Sequence, residues 1–195
     1  RIFTNIADWH FKKGFDETFL RLGKMMVQAT LHVYKESVAN FLPTPAKSHY
    51  VFNLRDFSRV IRGVLLTPAS CMQEGEKLAR LWVHEVYRVF YDRLTMDEDR
   101  QKFFAIVQKT ASDAFKMNID KVLGHLSKSG RVVDEDVRSL IFGDYMTDDR
   151  IYDEVVNIKD FTARFEYFLD EFNSLSKSPM NLVMFKVAIV NISEV

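Results

Sequence analysis

Asn53-Leu54-Arg55-Asp56 follows the short extended run Tyr50-Val51-Phe52 and opens a segment of helical apolar spacing. Asn53 is a natural N-cap, since its side-chain oxygen can accept a backbone N–H of the first turn, and Asp56 sets a negative charge beside the positive end of the helix. Arg55 is out of place. A cation in the first turn opposes the macrodipole unless an anion stands in front of the helix, where N–H groups and a guanidinium fork could converge on a phosphate. The plain alternative is an Arg55 that is solvated or paired with Asp56. Arg59, one turn further on, is the understudy for the same anion, or else a surface or subdomain-interface residue.

His84-Glu85 invites a metal reading, but H-E-x-x-H requires a second histidine where this chain has Arg88. Glu85 is better read as an ion-pair partner of Arg88 or Arg80, with His84 at the edge of the core or an interface. The pair Asp92-Arg93 reads as a device that holds the following helix. Ser70, His32 and Cys71 make no nucleophile constellation. No G-x-x-x-x-G-K-[ST] loop occurs, and no apolar strand ends in Asp-Glu, so neither a phosphate cradle nor a magnesium-holding pair is written in the chain.

The elements that position these residues read as helices. With 7 Gly, 4 Pro and 17 Phe, breakers are scarce and large apolar side chains plentiful. After an initial helix tail over 1–11, apolar spacing predicts helices over 16–41, 54–66 and 75–94. The third carries Leu78, Leu81, Trp82, Val86, Val89 and Phe90 as one stripe. Pro43-Thr44-Pro45 stops the first of them. Thr95 and Glu98 read as a capping box for a helix reaching Lys116, which buries Phe103, Phe104, Ile106, Val107 and Phe115. A short helix over 119–126 leads to the linker Ser127-Lys128-Ser129-Gly130. Beyond it come a short extended segment over 139–143, acidic residues at 134–136 and 148–149 read as solvated turns, and helices over 159–174 and 180–192. Tyr50 and Phe52 are expected to pack on the core. The Met-rich last helix (Met180, Met184, Val187) is expected to show an apolar face.

The chain has 195 residues, 47% hydrophobic and 28% charged, which suits one globular domain or two small ones. Lys plus Arg and Asp plus Glu each number 27, a balance that argues against a nucleic-acid or membrane-surface partner. No apolar run is long enough to span a bilayer. Cys71 stands alone, so no internal disulfide can form, and a reducing compartment is the simple inference. Beginning at Arg1 without an initiator methionine, the chain reads as a piece of a longer protein.

The run Pro43-Thr44-Pro45-Ala46-Lys47-Ser48-His49-Tyr50-Val51-Phe52-Asn53-Leu54-Arg55-Asp56-Phe57-Ser58-Arg59-Val60 resembles the start of the lid subdomain in the third AAA+ module of axonemal dynein heavy chains. Leu81-Trp82-Val83-His84-Glu85, Arg88-Val89-Phe90 and Asp92-Arg93-Leu94 are similar to the LWxHExxRVFxDRL helix of that lid. Phe142-Gly143-Asp144-Tyr145-Met146 and Met180-Asn181-Leu182-Val183-Met184-Phe185 resemble the opening of the fourth module. Cytoplasmic dyneins begin the corresponding helix differently. The resemblance covers nearly the whole chain. It implies an all-α fold, with residues 1–128 as a small helical lid and 129–195 as a linker and the mostly helical start of the next module, short of its phosphate loop.

By the same resemblance Arg55 corresponds to the sensor-2 arginine, with Asn53 as its helix cap and Arg59 as a weaker candidate beside it. The parent would be an ATP-driven, minus-end-directed microtubule motor of the ciliary or flagellar axoneme. ATP or ADP with Mg would sit at its third AAA+ site, whose role in this family is regarded as regulatory. The partners implied are neighbouring AAA+ subdomains in cis, microtubules and other dynein subunits, with neither nucleic acid nor membrane. The chain itself would carry no cofactor and hydrolyse nothing. The rival readings are a free-standing helical protein-interaction adaptor and a metal-dependent hydrolase built on His84 and Glu85.

Overall fold

The computed structural model describes residues 1–193. The chain divides into two compact units, Arg1–Leu140 and Ile141–Val195. In the first, α1 (Ile2–Phe11) and α2 (Thr18–Asn40) pack on one another, α2 packs on α5 (Asp97–Phe115), and α3 (Leu54–Val64) packs on α4 (Gly75–Val89). The short α6 (Ile119–Val122) and α7 (Asp134–Val137) complete it. The all-α expectation holds. Among the described residues the only strands are β1 (Phe142–Gly143) and β2 (Asp153–Glu154), an antiparallel pair in the second unit. Among them, too, no helix is long and apolar enough to cross a membrane.

Helix α4 is the most deeply buried long helix of the first unit, for the reason its sequence states. Leu78, Leu81, Trp82, Val86 and Phe90 are all fully buried, and only Val89 of the expected stripe is half-exposed. Trp82 donates its indole N–H to Thr30 Oγ1 at 2.9 Å, and the Thr30 hydroxyl in turn donates to the Met26 carbonyl at 2.8 Å. The one polar atom of the largest core side chain is thereby satisfied. Where α1 meets α2, Gly23 is required: a Cβ there would come within 2.6 Å of the Phe11 ring.

Several local expectations differ from the fold. Thr95 does not cap α5, whose N-cap is Met96 without a side-chain bond. The Thr95 N–H instead donates to the Tyr50 hydroxyl at 3.0 Å, and Asp97, Glu98 and Asp99 supply negative charge to the first turn. The acidic run 134–136 is not simply a solvated turn. Asp134 is half-buried and accepts hydrogen bonds from the hydroxyls of Tyr87 and Tyr91, which stack at 4.5 Å. With Val132, Val137 and Leu140 also buried, the stretch beyond the 127–130 linker packs with the first unit.

In the second unit, α8 (Ile158–Leu175) begins at Asn157, whose side chain accepts the Lys159 N–H at 3.0 Å. Ile141, Val155, Phe161 and Ile189 form its buried core. The last helix, α9, spans only Lys186–Ser193, not 180–192. The Asn173 side chain binds both the N–H and the carbonyl of Met180, at 2.8 and 2.9 Å, and holds that segment out of the helix. Met180, Leu182, Val183 and Phe185 are exposed, while Met184 packs on the core; the side chain of Val187 lies outside the described residues.

Candidate functional site

The start of α3 is built as a closed box. Asn53 Oδ1 accepts the N–H of Arg55 at 2.8 Å and of Asp56 at 3.3 Å, and Asp56 Oδ2 accepts the Asn53 N–H at 2.9 Å. The N–H groups of Arg55 and Asp56 are therefore committed within the chain. The sequence argument for N–H groups converging on a phosphate with Arg55 needs correcting, because the cap already occupies those donors. What remains for an anion is the side chain.

Arg55 is exposed, and among the described residues its guanidinium makes no ion pair. Its neighbour Asp56 does not hold it. Asp56 is 2% exposed and faces inward, where Arg93 grips it through two bonds, Nη2 to Oδ1 at 2.5 Å and Nη1 to Oδ2 at 3.1 Å. Arg59 approaches Asp56 Oδ1 from outside at 3.6 Å and is otherwise largely solvated. Burial by itself pushes the Asp56 carboxyl upward. The Arg93 hydrogen bond, the Asn53 N–H and the charges of Arg93 and Arg59 outweigh it and hold the group below the usual carboxylate range.

Arg93 corrects a second expectation. It does not hold the helix that follows it; it reaches back past α4 to α3, and its Nη1 also donates to the Val51 carbonyl at 2.9 Å. The guanidinium lies 5.8 Å over the Phe52 ring, which stacks on Phe90 at 5.5 Å. Asp92 turns the other way, to Arg88 at 3.5 Å. The lead-in to α3 is pinned further upstream as well. The Tyr50 hydroxyl donates to Asp99 at 3.0 Å, and Lys47 pairs with the same carboxylate at 2.5 Å. Tyr50 is buried and Phe52 half-buried, as core packing requires.

His84 and Glu85 stand elsewhere. His84 lies in the core rather than at its edge, with Nδ1 2.9 Å from the Leu140 carbonyl. Burial, helped by the charge of Arg88, lowers its imidazole to about 3, so it is neutral at physiological pH. Glu85 is buried too, against α3: a Cβ at Gly63 would fall 2.0 Å from its carboxylate oxygen. Among the described residues no three His, Cys, Asp or Glu side chains are placed to hold a metal ion together.

The profile of the AAA+ lid domain matches residues 26–128, which contain α3, its lead-in and Arg93. The chain belongs to the AAA+ lid family. Along its whole length this lid chain is also similar to part of axonemal dynein heavy chains. It is 60% identical to dynein axonemal heavy chain 3 of Mus musculus and of Homo sapiens, covering 100% of this chain and 5% of each relative. It is 44% identical to dynein axonemal heavy chain 12 of Rattus norvegicus, covering 100% of this chain and 6% of that protein. The chain thus spans about one-twentieth of the length of the curated relatives it matches.

Proposed function

We propose that this lid reports the nucleotide state of an AAA+ site in an axonemal dynein heavy chain, with Arg55 as its contact to phosphate. The observation that carries the reading is the isolation of one exposed cation at the start of a helix whose own cap and counter-ion are complete without it. A guanidinium with no structural work is suited to an anion supplied from outside the lid. The residues fit one phosphate contact and no more. Arg59 is partly engaged by Asp56, and the N–H groups of Arg55 and Asp56 are bound by Asn53. The triphosphate cradle and the magnesium ligands would come from another part of the longer polypeptide.

The module would be the third of the ring, with residues 129–195 leading towards the fourth, and the site would hold ATP or ADP with Mg. The lid's contribution is geometric. A charged hydrogen bond made only when the lid lies over the nucleotide, worth about 1.5–3 kcal/mol, favours that position and is lost with the phosphate. Subdomain rotation of this kind is how such a state could pass round the ring of a microtubule motor in a cilium or flagellum.

The test is mant-ATP binding to the third site in a polypeptide that includes its large subdomain. Arg55→Ala should weaken binding by about tenfold. Unchanged affinity rejects Arg55 as a phosphate ligand.

A further inference from the structure

Arg93 is 37 positions from Asp56 in the chain, on the 3-10 turn Tyr91–Arg93 that follows α4. Its one guanidinium holds three things at the entrance to α3: the backbone at Val51, the ring of Phe52 and the buried carboxylate of Asp56. Asp56 in turn closes the cap by accepting the Asn53 N–H. The side chain therefore ties the last extended residues and the first helical turn into one body, against the Phe52–Phe90 stack. Arg55 lies between the two anchored points, with its own backbone N–H bound by Asn53.

We infer that Arg93 and Asp56 are positioning residues that fix the direction in which Arg55 leaves the lid. This rests on the reading of Arg55 as the phosphate contact. A flexible three-methylene arm on a fraying first turn would sample many directions and lose entropy on each contact. On a locked turn only the side chain itself must order. The geometry also separates the two arginines by duty: Arg93 is spent inward on Asp56, and its charge leaves Arg55 with no buried carboxylate to turn towards.

Two conservative variants probe the clamp without removing the cap. Arg93→Lys keeps the charge but cannot make the two-pronged contact and also hold Val51. Asp56→Asn keeps an acceptor for the Asn53 N–H but loses the ion pair. In the longer polypeptide, each should weaken mant-ATP binding about fivefold to tenfold. Each should also speed amide exchange over 53–57, while α5 is unchanged. Placed on top of Arg55→Ala, neither should lower affinity further, because the residue they position is gone.

The outcomes separate. An Arg55→Ala protein with normal affinity overturns the phosphate reading, and the clamp's purpose with it. A sensitive Arg55 combined with normal affinity in both clamp variants overturns the clamp alone. So does a loss of affinity that is just as large in the Arg55→Ala background, since the effect then does not pass through Arg55.

Discussion

Asp56 gives up almost all its hydration in the folded lid, and only a close, doubly bonded partner makes that tolerable. Its capping bond adds to the debt of removing it, because the Asn53 N–H would also lose its acceptor. Arg55, the preceding residue, gives up nothing. Chain neighbours of opposite charge should therefore differ sharply in what they do for stability. Asp56→Ala should cost about 2–4 kcal/mol, somewhat below a fully buried pair because Arg93 keeps some access to water. Arg55→Ala should change stability by no more than about 0.5 kcal/mol. Urea unfolding of the two variants checks the contrast, and equal losses would show that Arg55 has a structural partner after all. Asp56 also sets a direction with pH. Its carboxyl is held low in the folded state, so its contribution is complete above the ordinary carboxylate range and disappears as the pH falls through its folded value.

Among the elements, α4 buries two ionisable side chains, His84 and Glu85, as well as its apolar stripe. His84 is the one that yields a measurable slope. Folded, it stays neutral down to about 3; unfolded, it takes a proton near 6.5. Between those values the unfolded chain binds the extra proton, so stability falls as pH is lowered, by up to about 1.4 kcal/mol per unit from this group. Asp134 and Asp92 work in the opposite sense. Burial raises both despite their hydrogen bonds and nearby arginines, so the folded state takes their protons first and gains stability as the pH falls through their folded values. Their range lies nearer to ordinary carboxylates than the interval from pH 7 to 5. Burial also lowers His10, which adds a slope of the same sign as His84, so only a substitution at position 84 separates the two. A His84→Gln chain should lose about 2 kcal/mol less than the parent chain across that interval in urea unfolding; parallel slopes would place the imidazole in water. The helices themselves were legible because their evidence is local: apolar spacing, Pro43 and the Asn53 cap all lie within a turn or two of what they determine. The clamp was not. Nothing near Arg93 announces a carboxylate on the other side of α4, and nothing near Asp134 announces two stacked tyrosines. Thr95-x-x-Glu98 misled for the complementary reason, since the Thr95 N–H that Glu98 would have capped donates instead to the distant Tyr50 hydroxyl.

At the scale of the molecule, the two units differ in how much they bury. The first encloses Trp82, Tyr50, Tyr87, Phe90, Phe103 and many smaller side chains. The second encloses Ile141, Val155, Phe161 and Ile189, with Phe165 and Met184 partly covered against them. Along α8 and after it, Tyr167, Phe168, Phe172, Leu175, Leu182, Val183 and Phe185 remain exposed. Local opening free energies follow buried apolar contact, so α8 should open well before α4. In hydrogen exchange of this chain, amides of α8 should be protected by at least about 2 kcal/mol less than those of α4. Equal protection in both would mean that the two units unfold as one. The exposed rings of α8 also make the comparison with a longer polypeptide informative. If residues 129–195 begin a further AAA+ module, as we propose, the rest of that module should cover them, and α8 protection should rise while α4 stays unchanged. A rise in neither would leave the apolar face of α8 uncovered in the parent and remove the module assignment from that half of the chain.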